Sequence, residues 1–384
     1  MSENLFNPER FLKEFWQQKP VVIKGFVEQF DDPLDGDELG GLALQPEVES
    51  RLVHNSDEGY QLSHGPFSED VLKTLPDRNW TLLVQAVDIW LEEVEALKSH
   101  FHFIPSWRID DVMVSFAAPG GGVGPHFDRY DVFLLQGTGS RTWRLGQYCD
   151  ESTELDSSSG LSLLKEFKQE QEFTVECGDV LYIPPGWAHW GISNDASLCY
   201  SIGFRAPSHA ELLEDFSTLL MADSSPDRRY RDAKPEVSAA DGHIPGKTLD
   251  SLWEELQSIL QDREAFNEAF GLLVTKPRYP ALHKEYAESL TTSALLEELT
   301  QGAELLRHPG SRFAYTETEN GSDIRFYADG ERVNCSREQA ALVKSLCDVS
   351  AGSSSKISLK PAMLKGEDLA LLCTLLSQGS LVLA

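Results

Sequence analysis

Between Asp111 and Arg205 the chain is cut by glycine and proline into short β-branched and aromatic runs, a texture that limits its fold more than any other feature. Val112-Met113-Val114-Ser115-Phe116, Val132-Phe133-Leu134-Leu135-Gln136, Thr142-Trp143-Arg144-Leu145, Phe173-Thr174-Val175, Val180-Leu181-Tyr182-Ile183 and Ser197–Phe204 have the length and composition of strands. Many short strands with turn signals between them predict a sandwich or barrel. Residues 150–172 read as an insertion of loop and short helix.

The flanks are helical or loop-like. Residues 8–17 carry Phe11, Leu12, Phe15 and Trp16 at helical spacing, and the strand-like Val21-Val22-Ile23-Lys24 follows. Residues 31–66 read as loops with short strands, and residues 68–75 and 89–97 as helices. Beyond Pro207, helices are expected over 210–221 and 249–270, with a polar loop over 222–248 between them. Further helices are expected over 292–304, 337–348 and 365–378, with a hairpin at Asn320-Gly321 or Asp329-Gly330. Gly352-Ser353-Ser354-Ser355 reads as a flexible connection. A chain of 384 residues calls for two or three domains.

The 62 acidic residues against 33 basic ones give a formal charge of -29. That argues against direct binding to a phosphate backbone and suits a cationic partner, although acidity also serves solubility alone. Six scattered cysteines without a C-x-x-C pair read as reduced thiols. The N-terminus lacks an apolar signal core and no apolar run reaches the length of a membrane span. A cytoplasmic protein is expected.

Within the β region, His126 and Asp128 are two residues apart and His189 follows sixty-one residues after Asp128. Residues i and i+2 of a strand share a side, so His126 and Asp128 can aim at one metal while Phe127 packs the other way. Two imidazoles and a carboxylate hold Fe(II) on one face and leave positions open for chemistry. An H-x-D spacing is weak evidence alone in a chain with ten histidines. Two neighbours strengthen it. Gly120 to Gly124 read as a stretch without a core-packing purpose that lets backbone approach a ligand. Pro184-Pro185-Gly186-Trp187 reads as a tight turn leading His189 into a new strand.

Two longer blocks carry a resemblance. GGGVGPHFDRYDVFLLQGTGSRTWRLG and GDVLYIPPGWAHWGISND resemble the JmjC-type cupin oxygenases, built on a double-stranded β-helix, and among them the bacterial ribosomal oxygenase branch. PERFLKEFWQQKPVVIKGF is similar to that family's opening. Cupins of the isomerase and storage type more often show H-x-H with a further Glu and His, so Asp128 favours the oxygenase branch.

The resemblance implies an α+β multidomain fold: a JmjC/cupin catalytic domain over 1–207, a helical dimerisation domain over 208–278, and a winged-helix-like domain over 279–384. It implies Fe(II) on His126, Asp128 and His189, with 2-oxoglutarate and molecular oxygen as cosubstrates. Arg141 would hold the distal carboxylate of 2-oxoglutarate with help from the Ser115 hydroxyl, and Asn194 would touch the metal-bound end. Tyr130, Asp131 and Phe133 would shape the substrate mouth. The implied reaction is hydroxylation of an arginine β-carbon in large-subunit ribosomal protein L-sixteen, a basic substrate, by a homodimer that contacts neither nucleic acid nor membrane. A JmjC demethylase, recognisable by formaldehyde release, and a non-catalytic cupin binding module, indifferent to His126→Ala, are the alternatives.

Overall fold

The computed structural model describes residues 6–57, 59–223, 229–231, 242–282, 290–318, 323–348, 356–357 and 359–384. In chain order the strands of its first half are β1 (Val21–Ile23), β2 (Ser50–Ser56), β3 (Gly59–His64), β4 (Trp80–Val84), β5 (Ile109–Ala117), β6 (Val132–Gln136), β7 (Ser140–Tyr148), β8 (Leu155–Asp156), β9 (Leu163–Leu164), β10 (Gln171–Glu176), β11 (Val180–Ile183), β12 (Trp187–Ser193) and β13 (Ser197–Phe204). The helices among them are α1 (Pro8–Glu14), α2 (Gly36–Leu42), α3 (Glu69–Lys73) and α4 (Glu92–Glu95).

An eight-stranded sheet runs β1-β11-β6-β13-β5-β4-β2-β3, and a three-stranded sheet runs β10-β7-β12. Every pairing in them is antiparallel. Leu134, Leu181 and Cys199 of the large sheet pack with Trp143, Leu145 and Val175 of the small one, so the two sheets close on each other as a double-stranded β-helix. Alternation sends the other set of side chains outward. Phe133, Leu135, Val180, Tyr182 and Tyr200 join a second core with Phe11, Phe101 and Val94. The large sheet is therefore buried on both faces, which is why every residue of β6, β11 and β13 is buried and why β6 and β11 read as near-continuous apolar runs.

The expected strands at 132–136, 180–183 and 197–204 match the observed bounds, while α2 falls where loops with short strands are expected and β4 where no element is. The α2 helix starts with a capping box, in which Asp35 accepts from Asp37 N and Glu38 N and Glu38 returns a bond to Asp35 N. Residues 150–172 hold the small β8–β9 pair and no helix. The expected helix over 89–97 is a 3₁₀ turn, α4 and a second 3₁₀ run.

In the second half come α5 (His209–Asp223), α6 (Gly246–Leu260), α7 (Arg263–Thr275), α8 (Thr292–Gln301), β14 (Leu305–Arg307), β15 (Phe313–Glu317), β16 (Ile324–Ala328), β17 (Glu331–Val333), α9 (Ala340–Cys347), β18 (Lys356–Ile357), α10 (Gly366–Ser377) and β19 (Leu381–Leu383). The single helix expected over 249–270 is thus two. Asp262 takes an extended conformation and its side chain accepts from Ala265 N, which starts α7 afresh after α6 has ended. Asp329-Gly330, both at positive φ, make the hairpin turn between β16 and β17. The alternative at Asn320-Gly321 and the tract at Gly352 lie outside the described residues. A helix–sheet core of Leu295, Phe313, Phe326, Val343 and Leu372 organises this half. No helix is long and apolar enough to cross a membrane among the described residues.

Candidate metal centre and cosubstrate pocket

The loop from β5 to β6 is laid against β12 by an isolated antiparallel bridge. His126 N donates to His189 O at 3.0 Å and His189 N donates to His126 O at 2.8 Å. The two imidazoles are thereby paired, with centroids 4.2 Å apart. Asp128 Oδ2 lies 3.6 Å from His189 Nε2. One ligand atom from each of His126, Asp128 and His189 lies within 4.8 Å of the others, so a single cation between them can reach all three. Phe127 turns away toward Cys149, Leu164 and Ala188.

Backbone carbonyls fix the ring orientations. His126 Nδ1 contacts Gly124 O at 2.9 Å and His189 Nδ1 contacts Trp187 O at 2.9 Å. A carbonyl only accepts, so Nδ1 carries the proton in both rings and Nε2 is left as the lone-pair donor. Burial, together with the His126 ring, pushes His189 down to about 4, so this imidazole is neutral at pH 7, the ligating form.

The glycines before His126 do have a packing purpose, contrary to the expectation. A Cβ on Gly122 would sit 2.3 Å from Gly191 O, and one on Gly121 would sit 2.2 Å from Trp80 O. Their approach is to the protein's own backbone on β12 and β4, and it is this approach that brings His126 beside His189.

Arg141, at the other end of the small sheet, is buried. Its Nε donates to Ser197 Oγ at 2.9 Å, Nη1 to Ser115 Oγ at 2.9 Å, and Nη2 to the carbonyls of Ser115 and Ser197 at 3.0 and 3.2 Å. These partners orient the guanidinium but are neutral, and no carboxylate pairs with it among the described residues. An uncompensated buried cation is costly. The donor set therefore fits an anionic ligand. In register Arg141 opposes Ser193, and Leu145 opposes His189, so the guanidinium and the metal ligands share the inward face, separated by about four residues or roughly 13 Å along the strand. Between them stands Trp143, whose benzo edge packs on Gly191 and whose buried indole N–H has no partner among the described residues. Trp143 was not singled out in the sequence; its period-two spacing from Arg141 was the available signal.

Ser115 touches Arg141 as expected. Three other expectations are corrected. Asn194 is exposed, five residues and roughly 16 Å along the strand from His189. Its Oδ1 accepts from Thr142 Oγ1 at 3.0 Å and its Nδ2 donates to Ser140 Oγ at 3.2 Å, so it lies away from the metal ligands. Asp131 is fully buried, taking Tyr182 Oη–H at 2.6 Å, Gln17 Nε2–H at 3.0 Å and Arg108 Nη2–H at 3.2 Å. Phe133 is buried against Phe11, Phe101 and Tyr182. Both lie on the outward face of the large sheet, not at a mouth.

Tyr130 remains at the rim, 44% exposed, with the Asp128 charge and then its partial burial raising its hydroxyl pKa. The acidic neighbour there is Asp111, which with the Tyr130 ring flanks Gly203. Asp111, Met113 and Ser115 alternate along β5 on the inward side, so one strand runs from the Arg141 pocket to the rim.

A family profile described as the JmjC domain matches residues 96–212, and one described as a ROXA-like winged helix matches 258–382. The chain is 37% identical to the ribosomal protein uL16 3-hydroxylase of Escherichia coli, over 84% of each chain. The chain belongs to the JmjC ribosomal oxygenase family. A probable ribosomal oxygenase of Haemophilus influenzae is 32% identical, over 84% of this chain and 81% of that one. Among solved structures, the Escherichia coli ribosomal oxygenase YcfD in complex with cobalt and 2-oxoglutarate superposes with a TM-score of 0.83 at 34% identity, covering 98% of each chain. Its complex with cobalt and succinic acid gives 0.84 at the same identity and coverage. The two-histidine, one-carboxylate cluster is in keeping with membership of this family.

Proposed function

We propose that this ribosomal oxygenase hydroxylates the β-carbon of one arginine in ribosomal protein uL16, using Fe(II), 2-oxoglutarate and molecular oxygen. The observation that carries the reading is the buried Arg141 guanidinium, without a carboxylate partner among the described residues, on the same inward face as His126, Asp128 and His189. His126, Asp128 and His189 would hold the metal, and Arg141 with Ser115 would bind the distal carboxylate of 2-oxoglutarate. Bound iron with its cosubstrates supplies an oxidant that hydroxylates an unactivated C–H, releasing succinate and carbon dioxide.

The chain's own residues orient and shield. Nδ1–H bonds to Gly124 O and Trp187 O keep both imidazoles turned toward the cation. Trp143 walls the path between Arg141 and His189 and excludes water from it. At the rim, Tyr130 offers an aromatic face and Asp111 a carboxylate to a substrate guanidinium, the roles expected of Tyr130, Asp131 and Phe133. The net charge of -29 steers a basic ribosomal protein inward and discourages contact with nucleic acid.

Residues 1–207 would form the catalytic domain, 208–278 a dimerisation unit and 279–384 a winged-helix-like unit, in a cytoplasmic homodimer. The α6 helix supports the dimer: Leu249, Leu252, Trp253, Leu256 and Leu260 are all exposed on it, and it buries none of its residues within the protomer. The test is incubation with Fe(II), 2-oxoglutarate and purified uL16, followed by mass spectrometry. One added oxygen atom on a single arginine is expected. An unmodified uL16 overturns the substrate, and formaldehyde release would make the enzyme a demethylase.

A further inference from the structure

Asp110 precedes Asp111 on β5, and strand alternation turns it outward, toward the C-terminal half of the chain. Three guanidiniums converge on it there. Arg205 Nε and Arg312 Nη2 donate to Oδ1 at 3.0 and 2.7 Å, and Arg278 Nη1 donates to Oδ2 at 3.0 Å. Burial alone would raise this carboxyl, but the three cations hold it below its ordinary range.

The three arginines come from separate places. Arg205 directly follows β13 and donates to the carbonyls of Leu273, Val274 and Lys276 around the C-terminal end of α7. Arg312, just before β15, donates also to the carbonyls of Ile109 and Asp110. Arg278 lies on the short segment after α7, and its neighbour Tyr279 donates to Glu49 Oε2 at 2.8 Å. The segment is thereby pinned across the rim, with the Arg278 guanidinium 3.6 Å from Asp111 Oδ2.

We propose that the Asp110 hub places Arg278 at the substrate mouth, where it is a positioning residue that keeps Asp111 charged and aimed for an incoming guanidinium. The inference rests on the arginine-hydroxylase reading above. Asp111 already accepts from Gln85 Nε2 at 2.6 Å and Ala86 N at 3.1 Å. Burial and then the Asp88 charge push its carboxyl up to about 6. The charged and titratable groups around it include Asp88 from the 3₁₀ turn after β4, with Lys98 paired to it, Asp110 on its own strand, Arg51 through Gln85, Tyr130 from the metal loop, Arg312 before β15, and Arg278. Arg278 is the cation within ion-pair distance of Asp111 among the described residues, and it comes from outside the segment that matches the JmjC domain. A neutral Asp111 would lose the charge-assisted bond to a substrate guanidinium.

The experiment compares full-length wild type, Arg278→Gln, Arg278→Lys and Asp110→Asn with uL16 across pH 5 to 8. Arg278→Gln leaves Asp110 its bonds to Arg205 and Arg312, so the domains stay docked. Removing the cation makes Asp111 harder to ionise. The acidic limb of kcat/KM should therefore move to higher pH, and KM for uL16 near pH 6 should rise about tenfold, the scale of one lost charge-assisted contact. The KM for 2-oxoglutarate should not change, and Arg278→Lys should recover part of the loss. Asp110→Asn should raise KM for uL16 and lower the thermal midpoint; its acidic limb does not report on the hub, because the lost Asp110 charge by itself makes Asp111 easier to ionise. Arg278→Gln with the wild-type limb and wild-type KM for uL16, or with an equal rise in KM for 2-oxoglutarate, overturns the positioning role. Asp110→Asn that lowers the midpoint and leaves KM for uL16 at the wild-type value overturns the hub. Wild-type enzyme that leaves uL16 unmodified overturns this inference together with the function it rests on.

Discussion

Arg141 is where charge, burial and function meet most sharply at the residue scale. Its four bonds to serine hydroxyls and carbonyls orient the guanidinium and leave its charge unanswered. Replacing it with alanine should raise KM for 2-oxoglutarate by roughly 10²–10³, the range for a buried charge pair that loses one partner. Saturating 2-oxoglutarate at about 100 times Kd should stabilise the metal-loaded wild type by roughly 2.7 kcal/mol and leave Arg141→Ala unstabilised, read as a shift in thermal midpoint. Asp131 gives the opposite pattern. Its carboxylate answers Arg108 and Tyr182 inside the core, so Asp131→Asn should cost about 3 kcal/mol of stability and leave KM for uL16 within twofold. A large KM change at constant stability would return Asp131 to the mouth. The metal ligands were legible in the sequence because an i, i+2 spacing puts two side chains on one side of extended backbone, even though His126 and Asp128 lie in a loop bridged to β12 and not on the strand expected. Asp131 and Phe133 were misplaced for the converse reason. Their strand is covered on both faces, and nothing local says which face a given side chain takes.

At the scale of elements, the metal centre depends on a loop packed on a strand. Gly122 approaches Gly191 O so closely that Gly122→Ala must push the loop off β12 and stretch the His126–His189 bridge. That variant should stay folded and bind Fe(II) or Co(II) at least tenfold more weakly, as measured by titration; supporting contacts of this kind are worth about 10–100-fold in metal affinity. Wild-type affinity would show that the ligands are preorganised without the glycine contact. The bounds of β6, β11 and β13 were readable because glycine and proline punctuate apolar runs of strand length. The break between α6 and α7 was not. Gln261-Asp262 interrupts no apolar period, and what marks the break is a cap bond from Ala265 that exists only in the folded chain.

At the scale of the whole molecule, protomer meets protomer and one half of the chain meets the other. The exposed apolar row on α6 should be covered in a dimer, so Trp253→Glu with Leu256→Glu should halve the mass seen by analytical ultracentrifugation. A wild type that sediments as a monomer sinks that assignment. Between halves, the Arg278–Asp110 pair ties the helical segment to the cupin, Arg312–Asp110 ties the C-terminal part to it, and Arg325 and Arg332 pair with Glu264 and Glu268 on α7. None of these long-range pairs could be read from spacing, since their partners are tens to hundreds of residues apart. The central claim is that one inward face holds metal, cosubstrate and a peptidyl arginine for oxygen transfer. Its most direct test is turnover of uL16 under isotopically heavy dioxygen, read by mass spectrometry of the product peptides. The account predicts one arginine that gains a single heavy oxygen atom, with succinate formed in step. A uL16 of unchanged mass, or a hydroxyl drawn entirely from ordinary water, would contradict it.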